Sequence, residues 1–202
     1  EVAEIRGIKV GEDAISPNRH PEIVDMDSLL DMIEMVRETS QKPVGIKCVI
    51  GDYNFFEDLC KKIKKKSIKS APDFISIDSS DGGTGAAPMS LIDNAGIPIK
   101  ESLPIIVDIL KKYKLKDRIK VGASGKIITP SQVAWALSAG ADFVTTARGY
   151  MFALGCIQAL QCNKNNCPTG ITTHDPKFQY GLDPENKSVR VANYANNMEK
   201  EV

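Results

Sequence analysis

The stretch 119–146, IKVGASGKIITPSQVAWALSAGADFVTT, contains a complete strand–helix–strand unit. Residues 119–122 and 142–146 are short, largely apolar runs rich in β-branched side chains. Each run is too short for a helix, so each predicts a buried strand. Two strands joined through a helix are parallel and linked by a right-handed crossover, which predicts an α/β fold.

The helix of this unit has clear sequence signals at both ends. Thr129 is placed to cap it, Pro130 occupies the first helical position, and Gln132 lies where a capping box requires it. Gly140 is suited to terminate the helix in a left-handed conformation. The sequence therefore predicts a helix over residues 130–139 followed at once by a strand.

The same alternation extends over most of the chain. Two further apolar runs predict strands at 44–50 and 73–78, and helical spacing of apolar residues predicts helices at 27–38, 54–68 and 102–112. An open doubly wound sheet and a closed barrel both fit this order, but functional-looking residues follow every strand, which favours the barrel. Four strands are half of a barrel. We therefore expect residues 1–202 to be the C-terminal half of a (β/α)8 TIM barrel whose N-terminal half is absent, in a chain that is a fragment.

The composition is that of one globular domain. The chain has 202 residues, of which 42% are hydrophobic and 26% charged, and Lys plus Arg equals Asp plus Glu at 26 each. This balance argues against nucleic acid or a membrane surface as partner. No apolar run approaches the roughly 20 residues of a spanning helix, and we expect a cytoplasmic protein. The lysine-rich run 61–66 is interpreted as the solvated face of a helix.

Three cysteines lie close together near the C-terminal end. Cys156, Cys162 and Cys167 are separated by gaps of five and four residues, and Pro168 follows the last of them. A predicted helix at 150–160 leads into this run. Burial as small apolar side chains or disulfide formation would explain cysteines elsewhere, but the odd total and the polar segment between them fit neither well. Structural zinc and four-iron clusters take four ligands, whereas a cluster lacking one iron needs three. The loop 156–170 therefore predicts an iron–sulfur site.

Three loops that follow predicted strands carry residues suited to binding a ligand. The first, 78–88, is glycine-rich and includes Ser79 and Asp81, although a plain flexible loop is an equal alternative. The loops 122–126 and 145–149 follow consecutive strands and favour a phosphate site, since backbone amides of such turns bind phosphate.

Two cations add to this prediction. Arg148 can bind a phosphate through two hydrogen bonds, or make a surface ion pair. Lys47 lies within an apolar strand, where a lysine is unusual unless it is paired. There it can face the pyrimidine edge of a flavin, on which negative charge builds upon reduction, or extend from the strand end into solvent.

Together these motifs resemble the flavin-binding synthase domain of the glutamate synthase family. The matching pieces are Ile15-Ser16-Pro17, Val44-Gly45-Ile46-Lys47, Asp81-Gly82-Gly83-Thr84-Gly85-Ala86, the turn 122–126 and the cysteine run with Cys167-Pro168-Thr169-Gly170. The resemblance covers nearly the whole chain in the same order. The stretch 18–22 is closer to the stand-alone glutamate synthase-like FMN proteins than to the large multidomain enzymes.

The resemblance implies an oxidoreductase with FMN and a 3Fe-4S cluster that reduces 2-iminoglutarate, formed from 2-oxoglutarate and ammonia, to glutamate. Its electron donor would be a ferredoxin or a reductase subunit. By position, it implies metal ligands at Cys156, Cys162 and Cys167, catalytic roles for Lys47 and Asp81, and FMN contacts from Lys47, Ser79, Gly122, Ser124, Gly125, Ala147 and Arg148.

Two alternatives stay open at the level of sequence. One is a related transferase subunit on the same barrel that acts on glutamate and an amine. The other is an inactive half-barrel that works only as part of an assembly. Half a barrel exposes two strand edges, so we expect self-association or pairing with the missing half.

Overall fold

Four parallel strands form one sheet and pair in the order in which they occur in the chain. In this computed structural model, which describes residues 2–15, 20–79, 90 and 94–202, the strands are β1 (Gly45–Val49), β2 (Phe74–Asp78), β3 (Lys120–Ser124) and β4 (Phe143–Thr145). Sequential order is the order of a barrel, whereas a doubly wound sheet reverses its strand order at a switch point. The predicted α/β class with parallel strands is confirmed, and the sheet has the arrangement of a partial (β/α)8 barrel.

Helices precede, connect and follow the strands. They are α1 (Val2–Arg6), α2 (Met26–Ser40), α3 (Asn54–Lys66), α4 (Ile99–Lys112), α5 (Pro130–Ser138), α6 (Arg148–Leu154), α7 (Pro176–Gln179) and α8 (Pro184–Glu201), with a 3-10 turn at Ile68–Ser70. The capping box of α5 is confirmed, because Gln132 Oε1 accepts the Thr129 amide at 3.0 Å and Thr129 Oγ1 accepts the Gln132 amide at 3.4 Å. Gly140 follows α5 with φ +106°, as expected of a terminating glycine.

The hydrophobic core lies on one face of the sheet. Ile75, Ile77, Val121 and Ala123 are fully buried there, together with side chains of α3 and α4 that include Leu59, Ile63, Leu103, Ile106 and Leu110. Because side chains alternate along a strand, the residues between these positions point to the opposite face, which is the inner face of a barrel. The lysine-rich run lies on α3, where Lys62 pairs with Asp27 at 2.5 Å and Lys66 with Asp31 and Glu34 of α2.

An aspartate directly precedes the phenylalanine that begins β2 and the one that begins β4, as Asp73-Phe74 and Asp142-Phe143. Asp73 Oδ2 accepts the backbone amide of Val44 at 2.8 Å, and Asp142 Oδ2 accepts that of Val121 at 2.7 Å. In each case the carboxylate joins the start of one strand to the start of its neighbour. Asp73 also accepts Arg37 Nε and Arg118 Nη2, both at 2.9 Å, so the amino-terminal edge of the sheet is held by partly buried ion pairs.

The two phenylalanines lie over glycines of the preceding strands. A side chain at Gly45 would bring its Cβ within 2.4 Å of the Phe74 ring, and one at Gly122 within 2.4 Å of the Phe143 ring. The two rings meet edge to face with centroids 6.2 Å apart. The aromatic pair therefore fills the inner face at the amino-terminal end and leaves the carboxyl end open.

Candidate functional site

A cavity of about 540 Å³ opens at the carboxyl ends of the strands, within the size range of ligand sites. Its polar lining from the sheet and the following loops is Lys47, Ser76, Asp78, Ser79, Ser124, Lys126, Thr145 and Arg148. Its other side is formed by α6 and the cysteine segment, including Met151, Phe152, Ile157 and Leu160. The polar strand ends and an apolar wall thus face one space.

Lys47 and Asp78 form an ion pair at this cavity. The distance from Lys47 Nζ to Asp78 Oδ2 is 2.6 Å, and the side chains are 66% and 30% exposed. The strand register places Ser76 beside Lys47 and Ser124 beside Asp78. Asp78 therefore partly neutralises the positive charge of Lys47 and fixes the direction of its side chain. A strand lysine without such a partner would have no fixed direction.

The turn after β3 depends on a glycine for its shape. Gly125 has φ +140°, and a Cβ there would lie 2.1 Å from Cβ of Ser79. Ser79 is held in place, because its amide donates to Ser124 O at 2.9 Å and its hydroxyl accepts the amide of Ile99 at 3.0 Å. Ser79 lines the cavity, and the same hydroxyl also satisfies the first backbone amide of α4.

The other predicted site residues are distributed unevenly around the cavity. Ser124, Gly125, Ala147 and Arg148 all line it. Gly122 is not among the lining residues, since it lies beneath the Phe143 ring, so contact with a cofactor stays a prediction for that residue. Asp81 lies outside the described residues.

The cysteine segment begins at a sharp helix end. The helix predicted at 150–160 is confirmed as far as Leu154 and wrong beyond it, because Gly155 adopts φ +102° and ends α6. The Gly155 amide bonds to Phe152 O and the Cys156 amide to Met151 O, both at 2.9 Å, which is the Schellman pattern that terminates helices. This turn redirects the chain so that Cys156 lies at the cavity.

All three cysteines of the segment line the cavity, and all five cysteines of the chain are free thiols. Among the described residues, however, no three His, Cys, Asp or Glu side chains approach closely enough to share a metal ion. The thiols as placed therefore do not form a ready ligand set for a cluster, although they border the same space.

Cys167 has an environment that favours its thiolate. Partial burial acts to raise its pKa, but hydrogen bonds from the Thr169 hydroxyl and the amides of Thr172 and Thr169 outweigh that effect and lower the pKa to about 6. The Thr169 oxygen lies 3.4 Å from the sulfur. A thiolate is the form of cysteine that binds metals and acts as a nucleophile.

Sequence reasoning gave no role to several cavity residues. Ser76 was missed, although it and Asp78 alternate with buried isoleucines in β2, and this period-two pattern was a usable signal that one face of the strand is polar. Asp78 and Thr145 lay within the predicted ligand loops, but no role was assigned to them. Met151 and Phe152 carry no such signal, because apolar residues on a short helix are equally typical of core.

The fold and the cavity define a partial barrel with a ligand site at the carboxyl ends of its strands, the usual location in such barrels. The whole chain, residues 1–202, matches the conserved region in glutamate synthase. The chain belongs to the glutamate synthase family.

Individual relatives agree with this placement. The chain is 48% identical over 194 residues to the glutamate synthase large subunit-like protein YerD of Bacillus subtilis (strain 168), covering 96% of this chain and 37% of that protein. It is 34% identical to the archaeal glutamate synthase [NADPH] of Methanocaldococcus jannaschii, with 96% and 37% coverage. It is 31% identical to ferredoxin-dependent glutamate synthase 2 of Synechocystis sp., with 88% and 11% coverage. The chain thus spans a little over a third of the first two relatives.

Among solved structures, a mutant flavocytochrome b2 with pyruvate bound aligns over 85% of this chain and 33% of its own, with 18% identity and a TM-score of 0.43. That score is too low to support an argument about this chain. No helix of the described residues is long and apolar enough to cross a membrane.

Proposed function

We propose that this chain forms part of a glutamate synthase-type oxidoreductase and that its cavity holds FMN. One observation carries the proposal: a single cavity unites a strand lysine, the two turns predicted to bind phosphate and an apolar wall. Because the chain spans only 37% of YerD, the activity proposed is that of the whole protein.

The residues present fit the parts of FMN. Its phosphate is an anion, and the turns at Gly125 and Ala147 bring backbone together with Lys126 and Arg148 at the cavity wall. Its ring system is planar and largely apolar, which suits a wall containing Met151 and Phe152. The site thus offers positive charge where the phosphate would bind and apolar surface for the ring.

When bound, FMN supplies hydride transfer, here to 2-iminoglutarate formed from 2-oxoglutarate and ammonia, which gives glutamate. Lys47 contributes a positive charge that favours a reduced, more negative flavin. Asp78 holds the lysine and reduces its net effect. Asp81, the second catalytic residue predicted from the sequence, belongs to the same proposal.

The described residues do not form a ready binding site for the 3Fe-4S cluster. Cys156, Cys162 and Cys167 are the ligands that the resemblance implies, but no three candidate ligands converge among the described residues. We therefore assign no step of the reaction to the cluster. Measuring the iron content of the protein tests whether the cluster is present. An electron donor of the ferredoxin or reductase type, a cytoplasmic location and pairing of the open β1 and β4 edges with further strands belong to the proposal as well.

The first test uses the full-length protein, purified without oxygen. We expect bound FMN in its absorption spectrum and glutamate formation from 2-oxoglutarate and ammonia with a chemical reductant. A full-length protein that neither contains nor binds FMN would overturn the proposal. Iron and sulfide analysis of the same sample decides separately whether the three cysteines hold a cluster.

The second test measures the flavin reduction potential in two opposite variants. Lys47→Met removes the positive charge and should lower the potential, whereas Asp78→Asn removes the counter-charge and should raise it. Each shift should reach tens of millivolts at most, because about 30 mV corresponds to 1.4 kcal/mol for a two-electron couple and solvent screens a lysine that is 66% exposed. Lys120→Met is the matched control, since Lys120 lies at the other end of the sheet and is absent from the cavity lining.

A further inference from the structure

The C-terminal helix α8 packs mainly on α6 and also contacts α5, and one of its side chains reaches the loops beside the cavity. The Tyr194 hydroxyl donates to Ile128 O at 2.6 Å and lies 3.0 Å from Thr146 Oγ1. Ile128 follows the turn after β3, and Thr146 belongs to the loop after β4. One hydroxyl therefore links the predicted phosphate loop after β4 to the segment that directly follows the predicted phosphate turn after β3.

The residues around Tyr194 leave room for its hydroxyl and hold its ring in place. A side chain at Gly149 would place its Cβ 1.8 Å from the Tyr194 oxygen, so the absence of a side chain there lets the hydroxyl approach. The Tyr194 ring also meets the Tyr150 ring edge to face, with centroids 4.9 Å apart and an interplanar angle of 79°. Ring and hydroxyl are thus both fixed, and the tyrosine is half-buried.

Tyr194 does not itself reach the ligand space, because it is not among the residues that line the cavity. Its neighbours along both loops do line it: Lys126 and Ile127 precede Ile128, and Ala147 and Arg148 follow Thr146. A change in the spacing of the two loops would therefore move cavity residues without any direct contact from Tyr194.

We propose that Tyr194 is a positioning residue that sets the distance between the two phosphate-binding loops from outside the cavity. The inference rests on the proposed FMN site and deepens it, since it makes cofactor affinity depend on a helix that follows the barrel strands. It also predicts which part of the cofactor is affected. The phosphate contacts depend on the bridge, whereas the contacts to the flavin ring do not.

The test compares FMN with riboflavin, which has the same ring system but no phosphate. Dissociation constants for both are measured by quenching of flavin fluorescence in the full-length protein freed of its cofactor. Tyr194→Phe keeps the ring and removes the bridging oxygen. We expect its FMN affinity to fall about fivefold, the equivalent of roughly one neutral hydrogen bond, while its riboflavin affinity changes less than about twofold.

Tyr150→Phe is the matched control. It makes the same chemical change in the other ring of the stacked pair, and the structure gives the Tyr150 hydroxyl no hydrogen bond within the described ranges. We expect no change in affinity for either flavin. Thr146→Val, which breaks only the link to the second loop, should lower FMN affinity by a smaller factor than Tyr194→Phe and serves as the second variant if that protein fails to fold.

Equal losses for FMN and riboflavin in Tyr194→Phe would overturn the inference, because they would indicate a general packing role. Unchanged FMN affinity in a folded Tyr194→Phe protein would also overturn it. If the unsubstituted protein bound neither flavin, the proposed function would fail, and this inference with it. Binding of both flavins by the unsubstituted protein therefore separates failure of the inference from failure of the function.

Discussion

Replacing Gly125 with alanine should damage the turn after β3 through two separable effects. The first is backbone strain, because φ is +140° at this residue and residues other than glycine rarely adopt positive φ. We take about 1–2 kcal/mol as the cost of this strain. The second is steric overlap, because the new Cβ would lie 2.1 Å from Cβ of Ser79. Ser79 is buried and bonded to both Ser124 and Ile99, so it has little room to move, and overpacking of this kind costs about 1–3 kcal/mol.

Gly125→Ala should therefore lower the free energy of unfolding by about 2–5 kcal/mol. Urea-induced unfolding of the full-length protein measures this value. The matched control is Gly11→Ala, since Gly11 also has positive φ, at +91°, but no atom of the described residues beyond its chain neighbours lies within 4 Å of its ideal Cβ. That control should show the backbone term alone, about 1–2 kcal/mol.

A double-mutant cycle isolates the overlap. Ser79→Gly removes the side chain that the new Cβ meets, so the cost of Gly125→Ala should fall by about 1–3 kcal/mol when Ser79 is already glycine. If Gly125→Ala and Gly11→Ala destabilised equally and the cycle showed no coupling, the close packing of the turn against Ser79 would not matter to stability. The reasoning about this turn would then be wrong.

Three further predictions concern the stability of the fold. Asp73→Asn should cost about 2–3 kcal/mol at pH 7. Burial opposes ionisation of Asp73, but hydrogen bonds from Val44 and Arg37 hold its pKa below the usual value. Its contribution is therefore fully present above about pH 4 and decreases as pH falls through the lowered pKa, so the difference in free energy of unfolding between the two proteins should be smaller at pH 3 than at pH 7. Gly122→Ala should cost about 1–3 kcal/mol by displacing the Phe143 ring, and calorimetry should show partial recovery when Phe143→Leu is added. Thr129→Ala should cost about 1 kcal/mol by removing the helix cap, and Thr129→Ser, which keeps the hydroxyl, should cost much less in the same assay.

The sequence predicted elements whose signals are local. Strand positions followed from short β-branched runs, and the start and end of α5 from its capping box and Gly140, because these features act within a few residues of one another. Only the continuation of the predicted helix from 155 to 160 was wrong. Gly155 terminates α6, but a glycine inside an apolar stretch does not by itself reveal a left-handed conformation.

Features that depend on contacts distant in sequence could not be predicted in this way. The Tyr194 hydroxyl contacts Thr146 and Ile128, which lie 48 and 66 positions earlier in the sequence. Nothing in the local pattern around Tyr194 indicates these contacts. The path of the cysteine segment is another case, since Gln158 and Leu160 adopt φ near +55°, which residues of these types rarely do. The spacing of the cysteines indicated a shared site, but it could not show where the three sulfurs lie.

The two ends of the sheet carry different kinds of side chain on its inner face. At the amino-terminal end, Asp73 joins neighbouring strands through ion pairs, and the Phe74 and Phe143 rings occupy the space above Gly45 and Gly122. The two rings thereby cover the inner face at that end. At the carboxyl end the same face carries Lys47 and polar strand ends that border a cavity. The ion pairs and aromatic rings at the amino-terminal end contribute to stability, whereas the carboxyl end keeps the Lys47–Asp78 ion pair and the glycine-dependent turn at Gly125. Substitutions at the amino-terminal end should therefore change stability with little direct effect on flavin binding, whereas Asp78→Asn should change the flavin potential with little effect on stability.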